Sequence, residues 1–208
     1  MIIAGNHDLK LVCYPISEKA RLQGKSLVNF VAEVRADQPR TAQDADWNRI
    51  GSRGFIEKFR DFAMPDIDPV RLLEDTDEIL EYPMIDRDPL PWWTKERVTL
   101  LGDAAHPMYP IGANGASQAL LDCLALEHAL ARTANVRAGL AAYEYERRET
   151  TARVVMANRE YGPEQVLDVA DSRLAGPDDR VEDLISPDEA DAIAGRYRQI
   201  AGFEKLAD

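Results

Sequence analysis

The stretch that most constrains this chain runs from Arg97 to Leu120: Arg-Val-Thr-Leu-Leu-Gly-Asp-Ala-Ala-His-Pro-Met-Tyr-Pro-Ile-Gly-Ala-Asn-Gly-Ala-Ser-Gln-Ala-Leu. Val98, Leu100 and Leu101 make a short apolar run, read as a buried strand, that stops at Gly102-Asp103, a turn signal carrying a carboxylate. The segment from Pro107 to Asn114 holds two prolines and a glycine, so it is stiff and unsuited to a helix interior. From Gly115 onward, Ala-Ser-Gln-Ala-Leu-Leu-Asp-Cys-Leu-Ala-Leu-Glu-His-Ala-Leu-Ala is strongly helix-forming. The order is therefore strand, acid, rigid loop, helix start. The first N–H groups of a helix have no partner within it and carry the positive end of its dipole, which suits an electron-rich ligand.

The residues themselves are more specific than that geometry. Gly102-Asp-Ala-Ala-His106, Pro110, Gly112 and Gly115-Ala-Ser-Gln-Ala119 resemble the second flavin-binding motif of the FAD-dependent aromatic hydroxylases, the family typified by para-hydroxybenzoate and salicylate hydroxylases. The resemblance implies that Asp103 accepts a hydrogen bond from the ribityl chain of FAD. It places Pro110, Ile111 and Gly112 along the isoalloxazine ring, and the backbone N–H groups of Asn114, Gly115 and Ala116 at its pyrimidine edge. Reduced flavin is negative at that edge, and a helix N-terminus stabilises an anion. Many relatives have Gly-Gln-Gly where this chain has Gly112-Ala-Asn-Gly115, and Glu-Asp where it has Leu121-Asp122. Neither change removes a backbone donor.

The family implies FAD as cofactor, NAD(P)H as reductant, and O2 and a small aromatic compound as substrates. Met108–Ala119, Tyr14-Pro-Ile-Ser17 and Ala157-Asn-Arg-Glu160 most resemble the phenazine-type hydroxylases. Tyr14 is the substrate-side aromatic to watch, although ordinary sheet packing is the favoured account of it. No residue is assigned a catalytic role, and His106 is read as structural.

The Gly-x-Gly-x-x-Gly fingerprint that opens this family and holds the FAD pyrophosphate does not occur in the chain. The chain is therefore read as the C-terminal half of a family member. The alternative is a non-catalytic truncated or split homologue acting as a binding or interaction module. On either reading the isolated chain is expected not to turn over substrate, and to form a homo-oligomer or need a complementing N-terminal segment.

With 208 residues and a formal net charge of −12, the chain is a poor match for nucleic acid or an anionic membrane surface. No apolar run is long enough to span a bilayer and no signal-peptide pattern opens the chain, so a cytoplasmic location is expected. Cys13 and Cys123 read as buried free thiols. His7, His106 and His128 lack metal-ligand spacing, so no metal is expected.

The fold expected is α+β or α/β, part of an FAD/NAD(P)-binding hydroxylase fold. An antiparallel substrate-domain sheet precedes the flavin-binding strand–loop–helix and the C-terminal helices. The division expected is 1–92 for the partial substrate domain, 93–165 for the C-terminal part of the FAD-binding domain, and 166–208 for a helical tail that is only partly ordered. Residues 1–8, 9–17 and 26–35 read as three strands of a meander, with turns between them. Pro39–Asp46 reads as a connector, and Asp44 or Asp46 as the cap of a helix from Trp47 to Phe62. Pro69–Thr76 reads as a short helix and Ile79–Asp86 as a strand. Trp92 and Trp93 are read as sealing a domain junction. The helix from Gly115 to about Arg132 should be buried on more than one side, with Asp122 a structural partner for backbone or arginine and His128 a satisfied or surface histidine. A second long helix, 138–161, should stop or kink at Gly162-Pro163.

Overall fold

The structure is a computed structural model that describes residues 1–36, 49–62, 64, 67–176 and 179–203. It divides into two compact units, Met1–Pro83 and Met84–Asp208.

The first unit is built on the expected meander. Strands β1 (Ile2–Gly5), β2 (Leu9–Pro15) and β3 (Val28–Val34) pair antiparallel in that order. Asn6 makes the first turn, its side-chain oxygen accepting from the N–H groups of Asp8 and Leu9. The second connection, expected as a plain turn, holds a short helix α1 (Glu18–Leu22), capped by the Ser17 hydroxyl on the Ala20 N–H. Alternation along β2 puts Leu11 and Cys13 on the face that packs against Ile56, Phe59 and Leu73. Burial there pushes the Cys13 thiol pKa up. Tyr14 lies on the opposite face, half-buried.

The connector Pro39–Asp46, its capping Asp44 or Asp46, and Trp47 lie outside the described residues. The helix expected to continue from them is shorter than its pattern suggested, being a 3-10 turn over Arg53–Phe59. Residues 49–51 are instead drawn into an antiparallel bridge, with Gly51 N–H donating to Ile79 O and Glu81 N–H to Arg49 O. That bridge is also all that forms of the strand expected at Ile79–Asp86, because its partner segment is so short and Pro83 has no N–H to extend a ladder. Helix α2 (Pro69–Glu74) appears as expected, with Asp68 capping the Arg71 N–H. The Arg53 guanidinium donates to carbonyls of Leu73, Glu74 and Thr76 at its far end.

The second unit begins at Met84, ahead of the break expected after Trp92. Arg159 ties Asp86 and Asp88 to this unit, and Arg148 donates to Pro91 O. The strand expected at Val98–Leu101 is only the second arm of a small hairpin, β4 (Thr94–Lys95) with β5 (Val98–Thr99). Val98 is 68% exposed, so the expected buried strand is corrected to a surface ribbon. Leu100 continues it only through its N–H, which donates to Trp93 O at 3.1 Å.

Helices α3 (Gly115–Ala131) and α4 (Val136–Arg159) form an antiparallel pair joined at Asn135, whose side chain caps the Ala138 N–H. Their approach is close at Gly139, where a Cβ would lie 2.9 Å from Leu130 Cδ2. Helix α4 ends as expected, with Tyr161 left-handed at φ 62° before Gly162-Pro163. The tail is helical where described: α5 (Gln165–Arg173), α6 (Val181–Leu184) and α7 (Pro187–Ile200). Ala170, Ile185 and Ile193 form its own small core, and Ser186 and Glu189 open α7 in a capping-box spacing. Cys123, expected buried, is exposed on α3.

Candidate functional site

The loop between β5 and α3 starts and ends in tight turns. Gly102 adopts φ 58° at the head of a 3-10 turn over Gly102–Ala104. A second 3-10 turn, Ile111–Ala113, carries two consecutive left-handed residues, Gly112 at φ 69° and Ala113 at φ 50°. Glycine takes that conformation freely, whereas an alanine held there is strained by about 1–2 kcal/mol. Strain of this kind persists only where the surroundings enforce it.

The kink delivers the chain into α3 with an open N-terminus. Asn114, in the capping position, makes no side-chain cap hydrogen bond. Its amide points inward, accepting from Gln118 Nε2 and donating to Tyr197 Oη, both at 3.4 Å. Among the described residues, no N-cap side chain accepts from the first N–H groups of this 17-residue helix. In front of them there is room: a Cβ on Gly115 would lie 4.0 Å from both Asp103 Oδ1 and Met108 Cγ. The fold itself would tolerate alanine at Gly115. Asp103 is exposed and its carboxylate borders that space. A carboxylate acceptor, an uncapped positive helix end, and a glycine-bared approach between them make a cradle suited to an electron-rich group.

A buried polar network holds the cradle from behind. Asp122, on α3, is 0% exposed and receives three hydrogen bonds: Gly102 N–H at 3.1 Å, His106 Nε2 at 2.6 Å and Arg147 Nε at 2.7 Å. Burial alone would raise the Asp122 carboxyl, but the His106, Arg147 and Gly102 hydrogen bonds outweigh it and hold its pKa below the usual value. The contact from His106 requires a proton on Nε2; Nδ1 has no partner among the described residues. Arg147 also reaches Gln118 Oε1 at 2.6 Å, and Gln118 Nε2 donates to Ala201 O at 2.8 Å. Farther along, Tyr197 Oη donates to Asn158 Oδ1 at 2.7 Å, and Asn158 Nδ2 donates to Tyr109 O at 2.8 Å. Both ends of the loop are therefore tied to helices packed behind it.

Comparison with known proteins decides what this cradle descends from. A sequence profile described as an FAD binding domain matches residues 57–158. The chain is 41% identical over 162 residues to a phenazine 1,6-dicarboxylic acid hydroxylase of Lysobacter antibioticus, covering 77% of this chain and 40% of that protein. It is 40% identical over 103 residues to a 3-hydroxybenzoate 6-hydroxylase of Aquipseudomonas alcaligenes, covering 50% of this chain and 26% of that one. Residues 57–158 thus match an FAD binding domain, and the chain is similar in sequence to FAD-dependent aromatic hydroxylases. It spans less than half the length of these two relatives. Its fold matches a salicylate hydroxylase substrate complex with a TM-score of 0.60 at 24% identity, over 99% of this chain and 50% of that one. These comparisons agree with the fold class expected from the motif, and the mixed sheet-and-helix architecture is that of the hydroxylase family.

Within the hydroxylase fold the expected site residues divide sharply. Asp103, Gly115 and Ala116 meet at the open end of α3, and Pro110 is exposed on the same loop. Ile111 and Asn114 turn their side chains into the protein, so a ligand would meet only their backbone. Gly112 is bound from behind, its N–H donating to Glu164 Oε1 at 3.2 Å. Tyr14 belongs to the first unit, the other seven to the second. Trp93 is buried within the second unit against His106 and Tyr143, whereas Trp92 is exposed. Asp122 is the structural partner it was expected to be, and His128 is on the surface. Sequence reasoning missed Gln118, Arg147, Asn158, Glu164 and Tyr197. Gln118 and Asn158 lie within stretches that carry the resemblance, but nothing local in the sequence marks any of the five as a partner of this loop.

Proposed function

We propose that this chain forms the ring-side part of the FAD site in a monooxygenase that hydroxylates a small aromatic compound, with NAD(P)H as reductant and O2 as co-substrate. The observation that carries the reading is the uncapped N-terminus of α3, open in front of Gly115 and bordered by the Asp103 carboxylate. The residues present fit FAD: a carboxylate for the ribityl hydroxyls, and free N–H groups for the electron-rich edge of the ring. When bound, the flavin supplies the redox and oxygen-transfer chemistry. The protein's part is to orient and to stabilise charge. Asp103 accepts from the ribityl chain, and the N–H groups of Gly115 and Ala116, with the backbone of Asn114, stabilise negative charge on the ring. Pro110, Ile111 and Gly112 lend a stiff backbone wall whose shape is set from behind. A phenazine-like substrate is supported by the 41% identity to the Lysobacter hydroxylase. Tyr14, half-buried on the face of β2 opposite Leu11 and Cys13, is proposed as a substrate-side aromatic. We assign the protein to the cytoplasm; among the described residues no helix is long and apolar enough to cross a membrane.

The test is titration with FAD, followed by quenching of flavin fluorescence. Asp103→Ala should weaken binding roughly ten- to a hundred-fold, the worth of a charged hydrogen bond of about 1.5–3 kcal/mol, without loss of fold. Gly115→Val should exclude flavin more severely than Ser117→Ala. Equal binding by both variants, or unchanged affinity in Asp103→Ala, would count against this placement.

A further inference from the structure

The flavin reading assigns the front of the loop; the structure also shows what holds its back. Tyr197, on α7, sits buried with its ring wedged between two glycines from different loops. A Cβ at Gly112 would lie 2.9 Å from Tyr197 Cε1, and one at Gly162 would lie 2.9 Å from Tyr197 Cε2. Opposite edges of one ring are therefore pressed against the two turns, and neither turn has room for a side chain. The hydroxyl continues the same clamp. It donates to Asn158 Oδ1 at 2.7 Å, lies 3.4 Å from Ile111 O, and receives the Asn114 amide at 3.4 Å. Asn158 in turn holds Tyr109 O, and Glu164 holds the Gly112 N–H. One side chain thus touches or is one bond away from Tyr109, Ile111, Gly112 and Asn114, all in the loop that leads into the open end of α3.

We infer that Tyr197 is a positioning residue for the flavin-facing loop: its ring and hydroxyl, delivered by the C-terminal helix, enforce the left-handed kink at Gly112–Ala113 that presents the α3 N-terminus to the ligand. The inference rests on the flavin reading for its purpose, but the clamp itself is independent of any ligand. Ala113 is the physical reason a clamp is needed. An alanine at φ 50° relaxes to an ordinary conformation unless something prevents it. The nearest rigid body behind Gly112 is the Tyr197 ring, with Pro163 beside it. Tyr197 is not a catalytic residue; it acts through the loop backbone.

Hydrogen–deuterium exchange on the full chain, with Tyr197→Phe and Tyr197→Leu, tests the clamp. Tyr197→Phe keeps the ring and removes the hydroxyl. It should speed exchange of amides in 107–116 by about three- to ten-fold, one neutral buried hydrogen bond, while 120–130 and 140–155 stay protected. Tyr197→Leu should open 107–116 further. Gly112→Ala should be strongly destabilising alone and partly relieved when combined with Tyr197→Leu, because the ring edge 2.9 Å away is then gone while Pro163 Cγ at 3.0 Å and the left-handed φ remain. Unchanged loop exchange in both Tyr197 variants, a uniform rise across 84–203, or additive Gly112 and Tyr197 effects would each overturn the inference. FAD titration of the same variants separates it from the functional reading. Matching losses of affinity and of loop protection support both. Altered loop exchange in the Tyr197 variants, beside a wild-type chain that quenches no FAD fluorescence, counts against the flavin reading and leaves the clamp standing.

Discussion

Helix α3 has two faces that reverse the usual order. Its inner face carries Gln118 and Asp122, both 0% exposed, followed by Ala125 and Ala129. Its outer face carries Leu120 at 72% exposure and Leu124 at 52%, with Cys123 between them. Polar groups are inside and leucines outside. The inner face is tolerable because its polar side chains are matched: the Asp122 carboxylate meets Gly102, His106 and Arg147, and Gln118 meets Arg147 and Ala201. The outer face has no such matching within the described fold. The difference teaches that apolarity around a helix does not reveal which side is buried. On this helix the polar residues mark the core, because they build the mounting for the loop.

The most direct way to break the comparison is to remove the inner carboxylate. Asp122→Ala leaves the Arg147 guanidinium buried without its anion and should cost about 3–5 kcal/mol, read as a lower urea midpoint. Asp122→Asn should cost less, since it keeps the shape and part of the hydrogen bonding. A loss below that of an ordinary surface change would show that the network is not what tolerates the buried polarity.

A smaller effect comes from pH. The folded-state pKa of Asp122 is depressed, so its ionised form favours the folded state. That stabilisation is complete above the unfolded Asp value of about 3.9 and is lost as pH falls below it through the lower folded value. The gap in urea midpoint between wild type and Asp122→Asn should therefore be constant near neutrality and narrow below about pH 4. A gap that widened on acidification would mean that the carboxylate destabilises the fold.

The smallest expected effect sharpens the comparison from the other side. Leu120→Lys and Leu124→Glu, on the exposed face, should change stability by no more than about 0.5 kcal/mol each in this chain. A leucine in a core would cost several times more on such a change. A large loss in either variant would show that the outer face is covered in solution.

The sequence by itself determined what is written in neighbouring residues. The meander follows from alternation in 9–15 and 28–34, the start of α3 from the proline–glycine loop giving way to Gly115-Ala-Ser-Gln, and the end of α4 from Gly162-Pro163. The stretch that carries the family resemblance was legible for the same reason, since Asp103 and Gly115 belong to one continuous strand–loop–helix signature. Tertiary structure decided where distant groups meet. The strands expected at 79–86 and 98–101 depended on partner segments that local pattern does not reveal, and among the described residues one forms a single bridge and the other a two-residue ribbon. Asp122 finds Arg147 across 25 residues, Asn158 finds Tyr197 across 39, and Gln118 finds Ala201 across 83. A hydrogen bond depends on distance and angle at its two atoms, and no local period or cap encodes a partner that far along the chain. The front of the cradle could therefore be read from one stretch of sequence, whereas its mounting exists only once α3, α4 and α7 are packed together.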